Sequence, residues 1–203
     1  MAELSHTEHR DYTGAKLGMW LFLFTEILLF GGMFLLYSIY RTVHTQDFHE
    51  AAKEMNLVLG AVNTAILLTS SMTMALSISA IKQGFRTRSL IYQAATVILG
   101  LAFLVNKFFE WRNHIQHGYY PNAPELLSMS HGKILYFGLY YVMTGIHGLH
   151  VTIGAGIICF TFILTFRGII SAADFIKLEN TGLFWHLVDV IWIYLFPLFY
   201  LIA

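Results

Sequence analysis

Cysteine is almost absent from this chain of 203 residues, since Cys159 is the only one. A single cysteine cannot form an intrachain disulfide, and it excludes any metal site built from several thiolates. Charged residues are also scarce, at 12% of the sequence, about half the share found in soluble domains. Basic and acidic residues balance at 12 each, so the sequence predicts no nucleic-acid partner. The 57% of hydrophobic residues indicate instead a protein solvated by a lipid bilayer.

Five apolar stretches are long enough to cross a membrane as helices, which takes about 20 residues each. They follow a polar tail at residues 1–15 and lie at about 16–40, 57–81, 89–111, 133–166 and 178–202. All are too long for the strands of a membrane β-barrel. The sequence therefore predicts an all-α fold, a polytopic bundle of five transmembrane helices that forms one membrane domain over residues 1–203.

Basic residues in the connections predict the orientation of this bundle. One side of the membrane carries Arg10, Lys16, Lys82, Arg86, Arg88, Arg167 and Lys177. The opposite side carries Arg41, Lys53, Arg112 and Lys133. The excess on the first side predicts a cytoplasmic N-terminus and an outward C-terminus.

Glu26 lies about ten residues into the first stretch, which places it near mid-bilayer at about 1.5 Å per residue. A charged carboxylate at that depth is costly, so it should face protein or water, or be protonated. Two interpretations follow from the residues. Glu26 is either a neutral acid hydrogen-bonded to a neighbouring helix or a proton-holding group near a proton pathway.

The segment TGIHGLHVTIG places His147 and His150 three residues apart in the fourth stretch. Buried imidazoles need a compensating interaction, which is either hydrogen-bonded packing or ligation of a metal or haem. Glycines surround both histidines and favour close helix packing over an open ligand site. We therefore predict hydrogen-bonded packing residues.

The fifth stretch adds His186 and Asp189, again three residues apart, with Glu179 near its start. Asp189 is deep enough to need a partner, and the nearest candidates are His186 and then His150. Glu179 is expected to stabilise the helix N-terminus. With His147 these residues form a predicted intramembrane polar network.

Lys107 and Glu110 are three residues apart near the end of the third stretch. This spacing predicts a structural ion pair on one helix face. We expect both long side chains to extend to the membrane interface.

Several motifs of self-contained chemistry are missing from the sequence, including CxxCH, a copper-binding cysteine pair and a phosphate-binding glycine loop. The residues alone therefore predict no catalytic group and no metal ligand. They leave open an accessory subunit, a proton-coupled transporter and a membrane anchor that holds haem between His150 and His186.

The chain resembles subunit III of the haem–copper terminal oxidases over nearly its whole length after the tail. GMWLFLFTEILLFGGMF is similar to the glutamate-bearing helix of that family, and FEW places Glu110 at the position of another family acid. The most specific matches are TGIHGLHVTIG and WHLVDVIWIYLFPLFY, which occur in the family's order.

The resemblance implies a bundle that packs on subunit I, which carries the haems and copper, with subunit II and a small subunit IV as further partners. It implies no redox cofactor in this chain, bound phospholipid, and a role in proton uptake and turnover stability. On this view Glu26 is the family's buried carboxyl. His147, His150, His186 and Asp189 then occupy inter-helix polar positions and bind no metal.

The chain departs from the seven-span mitochondrial form by lacking its first two spans. Five-span forms occur in bacterial oxidases, which implies a bacterial plasma membrane. Quinol-oxidising members often lack the acid at Glu26, so a cytochrome c oxidase is favoured. A quinol oxidase, a homologue associated with nitric oxide reductase and an independent proton-coupled transporter stay as alternatives.

Overall fold

A computed structural model describes residues 12–202 of the chain. Residues 1–11 of the predicted tail, Arg10 among them, lie outside the described residues. The helices are α1 (Tyr12–Val43), α2 (Thr45–Ala52), α3 (Leu57–Lys82), α4 (Arg86–Gln116), α5 (Pro124–Leu127), α6 (His131–Phe166) and α7 (Ile176–Tyr200).

Five of these helices, α1, α3, α4, α6 and α7, are long and apolar enough to span a membrane, which confirms the predicted all-α fold with five spans. α2 and α5 are short helices in the connections, which the hydropathy pattern did not predict. The long helices also run past the apolar stretches. α4 covers Arg86–Gln116, whereas 89–111 was predicted, because the helix continues into the polar residues that flank the apolar stretch.

Four helices form the core of the bundle: α3 packs on α4 and α7, and α6 packs on the same two. α1 lies outside this core, against α6 and α7. Because successive spans alternate in direction, the start of α1 and the end of α3 lie together at what we call the basic end, with Lys16 and Lys82. α2 and α5 lie at the opposite end, which we call the far end.

The indole of Trp185 shows how the core is packed. A Cβ atom on Gly100 of α4 would lie 2.7 Å from this ring, and one on Gly154 of α6 would lie 2.8 Å from it. The two glycines therefore make room for the indole where three helices meet. Its Nε1 donates to Ser70 Oγ of α3 at 3.1 Å, which satisfies the one polar atom of the buried ring.

α1 is the least covered of the long helices. Of the residues in its most apolar segment, 11% are buried inside the protein, whereas the corresponding share for α7 is 50%. Phe30 and Tyr37 reach the core, whereas Leu21 and Leu28 are each about 60% exposed. The outer surface of α1 is therefore apolar and faces away from the bundle.

Candidate functional site

Glu26 of α1 and His150 of α6 form a polar contact between the middles of the two helices. Glu26 Oε2 lies 2.9 Å from His150 Nε2, and each side chain is 13% exposed. The ring of Phe30 stands edge-on to the imidazole, with centroids 5.5 Å apart. The pair is thus largely shielded, and it ties the outer helix to the core.

The second ring nitrogen of His150 fixes how many protons the pair holds. Nδ1 lies 2.7 Å from the carbonyl oxygen of Ile146. A carbonyl oxygen only accepts, so Nδ1 carries a hydrogen and Nε2 faces Glu26. Either a neutral Glu26 donates to neutral His150, or protonated His150 donates to a carboxylate. In both states one shared proton bridges the residues and the pair has no net charge.

The predicted pairing of Asp189 with His186 does not form. His186 Nδ1 lies 2.6 Å from Ser71 Oγ of α3. Asp189 is 2% exposed, and neither carboxyl oxygen has a hydrogen-bond partner among the described residues, although Ser71 lies beside it. His150, the second candidate, is occupied by Glu26. The prediction was wrong because the three-residue spacing within α7 does not show which side chains of α3 face these residues, and Ser71 of α3 bonds to His186 instead.

His147 also differs from the prediction. Its ring is fully buried, yet neither nitrogen has a hydrogen-bond partner within residues 12–202. It packs edge-on against Phe103 of α4 and beside Trp192 of α7, with centroids 5.5 Å and 5.3 Å away. His147 is therefore a packing residue without the expected hydrogen bond. The described residues contain no group of three or more potential metal ligands.

Lys107 and Glu110 pair as predicted, at 3.2 Å, but they do not extend to the interface. Their side chains are 8% and 2% exposed, between α4, α6 and α7. Lys107 Nζ also lies 2.8 Å from Tyr140 Oη and 2.9 Å from Tyr200 Oη. Both hydroxyls donate to Glu110 Oε1. All three donors of the ammonium are thus satisfied, which compensates for burial of the charges.

Tyr140 and Tyr200 were missed by sequence reasoning. They lie 33 and 93 positions from Lys107, on two other helices. No spacing along the chain relates them to the ion pair. The usable signal was the pair itself, since an ion pair within an apolar helix needs further polar groups on its neighbours.

Glu179 lies apart from the other predicted network residues, at the basic end. Its carboxylate is 2.9 Å from Lys16 Nζ of α1 and 3.1 Å from Lys82 Nζ of α3. It stands in the first turn of α7, where an acid was expected. The structure therefore separates the predicted network into local groups: Glu26–His150, Ser71–His186 and the ion pairs of Glu179.

Comparisons with known proteins agree with one another. The profile of the cytochrome c oxidase subunit III family matches residues 3–203. A cytochrome c oxidase subunit 3 from Synechocystis sp. is 33% identical over 199 residues, which cover 98% of this chain and 80% of that protein. A probable quinol oxidase subunit 3 from Staphylococcus haemolyticus is 30% identical, covering 93% of this chain and 89% of that protein. A cytochrome bo(3) ubiquinol oxidase subunit 3 from Pseudomonas aeruginosa is 29% identical, covering 99% and 92%.

Proposed function

Because the chain belongs to the cytochrome c oxidase subunit III family, we propose that it is a subunit without a redox centre in a proton-pumping haem–copper terminal oxidase. It packs on subunit I, and haem and copper are held by the partner subunits. Subunit II and a small subunit IV are its further neighbours. The exposed apolar surface of α1 suits a membrane, where either lipid or another subunit can cover it.

The Glu26–His150 pair is the observation that carries a role for this subunit. It is the point where α1 is held to the core near mid-membrane, and it keeps one proton without net charge. We propose that this pair sustains proton uptake and the durability of turnover in the catalytic core. The contact holds α1 in place, and the shared proton can move between the carboxyl of Glu26 and the imidazole of His150.

Cytochrome c is the electron donor we propose for the complex. The relatives include subunits named for cytochrome c oxidase and for quinol oxidase, and the donor site belongs to other chains. If cytochrome c is the donor, the purified complex should oxidise reduced cytochrome c faster than it oxidises ubiquinol. Faster oxidation of ubiquinol would assign the chain to a quinol oxidase instead.

A bacterial plasma membrane, a cytoplasmic N-terminus and bound phospholipid belong to the same proposal. The basic end carries Lys16, Lys82 and Arg86, as expected for a cytoplasmic side. A periplasmic reporter fused after residue 203 should be active, and phospholipid should remain in the purified complex by mass spectrometry. An inactive reporter with normal expression would reverse the orientation.

Assembly is tested by tagging the chain, purifying it in mild detergent from its own membranes and recording a reduced-minus-oxidised spectrum. The chain is then stripped away, and each fraction is measured again. Haem that stays with a larger partner is expected. Haem that stays with this chain would support the anchor that uses His150 and His186. A pure chain without haem or partner that moves protons in liposomes would support the transporter.

A further inference from the structure

Within the described part of the chain, His186 has one ring nitrogen with a hydrogen-bond partner and one without. Nδ1 bonds to Ser71 Oγ at 2.6 Å, and no other hydrogen bond to His186 occurs among residues 12–202. The residue is only partly buried, and its Nε2 atom is not fully enclosed by the protein. Nε2 is therefore at least partly accessible, and the bond to Ser71 places His186 along the line where α3 and α7 meet.

This nitrogen is near the middle of the membrane. His186 stands about 15 Å from the start of α7, at about 1.5 Å per residue, in a helix of 25 residues. At that depth lipid chains offer neither a donor nor an acceptor, so an exposed imidazole nitrogen is unfavourable. Either tautomer of His186 leaves Nε2 without a partner, as a donor when Ser71 donates to Nδ1 and as an acceptor when Nδ1 carries the hydrogen.

The surface around His186 suits a helix. On α7 the residues one and two turns further along, Val190 and Ile193, are 45% and 42% exposed. On α3 the residues one turn to either side of Ser71 are Leu68, 49% exposed, and the small, exposed Ala75. We call His186, Val190 and Ile193 with Leu68, Ser71 and Ala75 the α3–α7 seam.

We propose that the α3–α7 seam is the docking surface for a transmembrane helix of the catalytic subunit, which places a hydrogen-bonding side chain opposite His186 Nε2. The inference rests on the proposed function, because it takes the partner to be the haem-bearing subunit. The apolar side chains and Ala75 allow close packing, and the histidine fixes the rotation and depth of the partner helix. Lipid alone satisfies the apolar positions but leaves Nε2 without a partner.

The contact is tested by photo-crosslinking in the assembled oxidase. The photoreactive residue p-benzoylphenylalanine is placed at Ile193 or Leu68 in the seam, or at Ile98 of α4, which is 65% exposed on another helix face. After illumination, the two seam positions should yield adducts of this chain with the haem-bearing subunit, whereas Ile98 should not. Adducts of the seam with lipid only, or with a second copy of this chain, would overturn the inference.

The hydrogen bond is tested by substitution of His186. H186L should lower retention of this chain on the purified oxidase in detergent by about fivefold, as expected for loss of one interhelical hydrogen bond. H186Q, which keeps a polar group, should retain more than H186L, and Ile98→Leu should behave as the wild type. Equal retention of H186L and wild type would contradict the role of His186. If the wild-type chain binds no haem-bearing partner at all, the proposed function fails as well.

Discussion

Glu26 combines two tasks that substitutions can separate. Its carboxyl shares one proton with His150, and the same contact holds α1 to α6. A glutamine at this position can still donate a hydrogen bond to Nε2 of a neutral His150, but it cannot hold an exchangeable acid proton. A leucine removes both functions and leaves Nε2 without a partner. Comparison of the glutamine and leucine variants therefore separates the role of the acid proton from the role of the helix contact.

We expect Glu26→Gln to keep the thermal stability of the complex and its haem content while changing turnover or its durability. Glu26→Leu should also lower the melting temperature, because a shielded imidazole nitrogen loses its partner. This loss lowers the free energy of unfolding by about 1–3 kcal/mol. Haem spectra, melting curves and oxygen-consumption traces followed to exhaustion measure these quantities. Unchanged activity of both variants on every time scale would remove Glu26 from the function without removing the chain from its family.

Lys107 and Glu110 lead to a prediction about stability. Lys107→Met leaves the Glu110 carboxylate buried with two tyrosine hydroxyls but without its counter-ion. Breaking one partner of such a pair costs about 3–5 kcal/mol. The double variant K107M/E110Q removes both charges and should recover much of that loss. Melting curves of the four forms test the coupling, and additive losses would show that the pair is not energetically linked.

The residue scale also shows what a sequence can predict. The acids and histidines of the apolar stretches, such as Glu26, His147 and Asp189, were identified individually, because each one interrupts a long apolar run. Their partners were not, since His186 bonds to Ser71 and Asp189 does not bond to His186. Residues three apart on one helix share a face, but the atom facing them depends on the rotation of the neighbouring helix. That rotation is set by packing such as the fit of Trp185 between Gly100 and Gly154.

At the scale of elements, the end of α7 is held by side chains from three other helices. The last carbonyl groups of a helix lack partners within it. Here the carbonyl of Leu198 accepts from Tyr37 of α1, and that of Phe199 accepts from Tyr136 of α6 at 2.6 Å. His49 Nδ1 of α2 lies 2.8 Å from the carbonyl oxygen of Ile202. The C-terminal segment is thereby fixed to the far end of the bundle.

Tyr136→Phe should therefore destabilise the protein by about 1–3 kcal/mol, because it leaves the Phe199 carbonyl without its partner inside the core. Tyr194→Phe is the matched control, since Tyr194 is 60% exposed and its hydroxyl makes no hydrogen bond within residues 12–202. Melting curves of the two variants in one detergent measure the difference. Equal curves would mean that the Tyr136 hydroxyl does not stabilise the end of α7.

α2 provides a prediction about pH. Glu50 lies 2.8 Å from Lys133 Nζ at the start of α6, and the hydrogen bond from that lysine holds the pKa of Glu50 below its ordinary value. A carboxyl whose pKa is lower in the folded than in the unfolded chain stabilises the fold above its unfolded pKa. That contribution is lost as the pH falls from the ordinary glutamate pKa through the lower folded pKa.

Amide hydrogen exchange in α2 measures this contribution. At neutral pH, Glu50→Gln should exchange faster than the wild type after correction for intrinsic rates. The difference should close when the wild-type carboxyl is protonated at low pH. A difference that persists unchanged at low pH would assign the effect to something other than the charge of Glu50.

The whole molecule was more predictable than its internal contacts. Length and hydropathy are enough to give five spanning helices, because a helix in lipid must satisfy its backbone within itself. The short helices α2 and α5 and the extension of α4 to Gln116 were not predictable in this way. They form in polar segments outside the apolar stretches, where hydropathy carries no signal. α2, for example, is held by the buried Phe48 and by the contact of Glu50 with Lys133 of α6.

The exposed surface of the molecule supports the role that the family suggests, a subunit of a larger complex. α1 shows apolar side chains over most of its circumference, and the α3–α7 seam shows a histidine nitrogen at mid-membrane. Apolar surface alone is compatible with lipid, whereas the histidine calls for a partner with a polar side chain. A subunit held in a larger complex accounts for both.

We propose that this chain supports a catalytic core that it does not itself contain. The most direct measurement is the turnover of the purified oxidase, followed over time after this chain is removed and then added back. We expect unchanged haem content, activity that decays faster without the chain, and recovery with wild type but not with Glu26→Leu. Full and durable activity without the chain would contradict it.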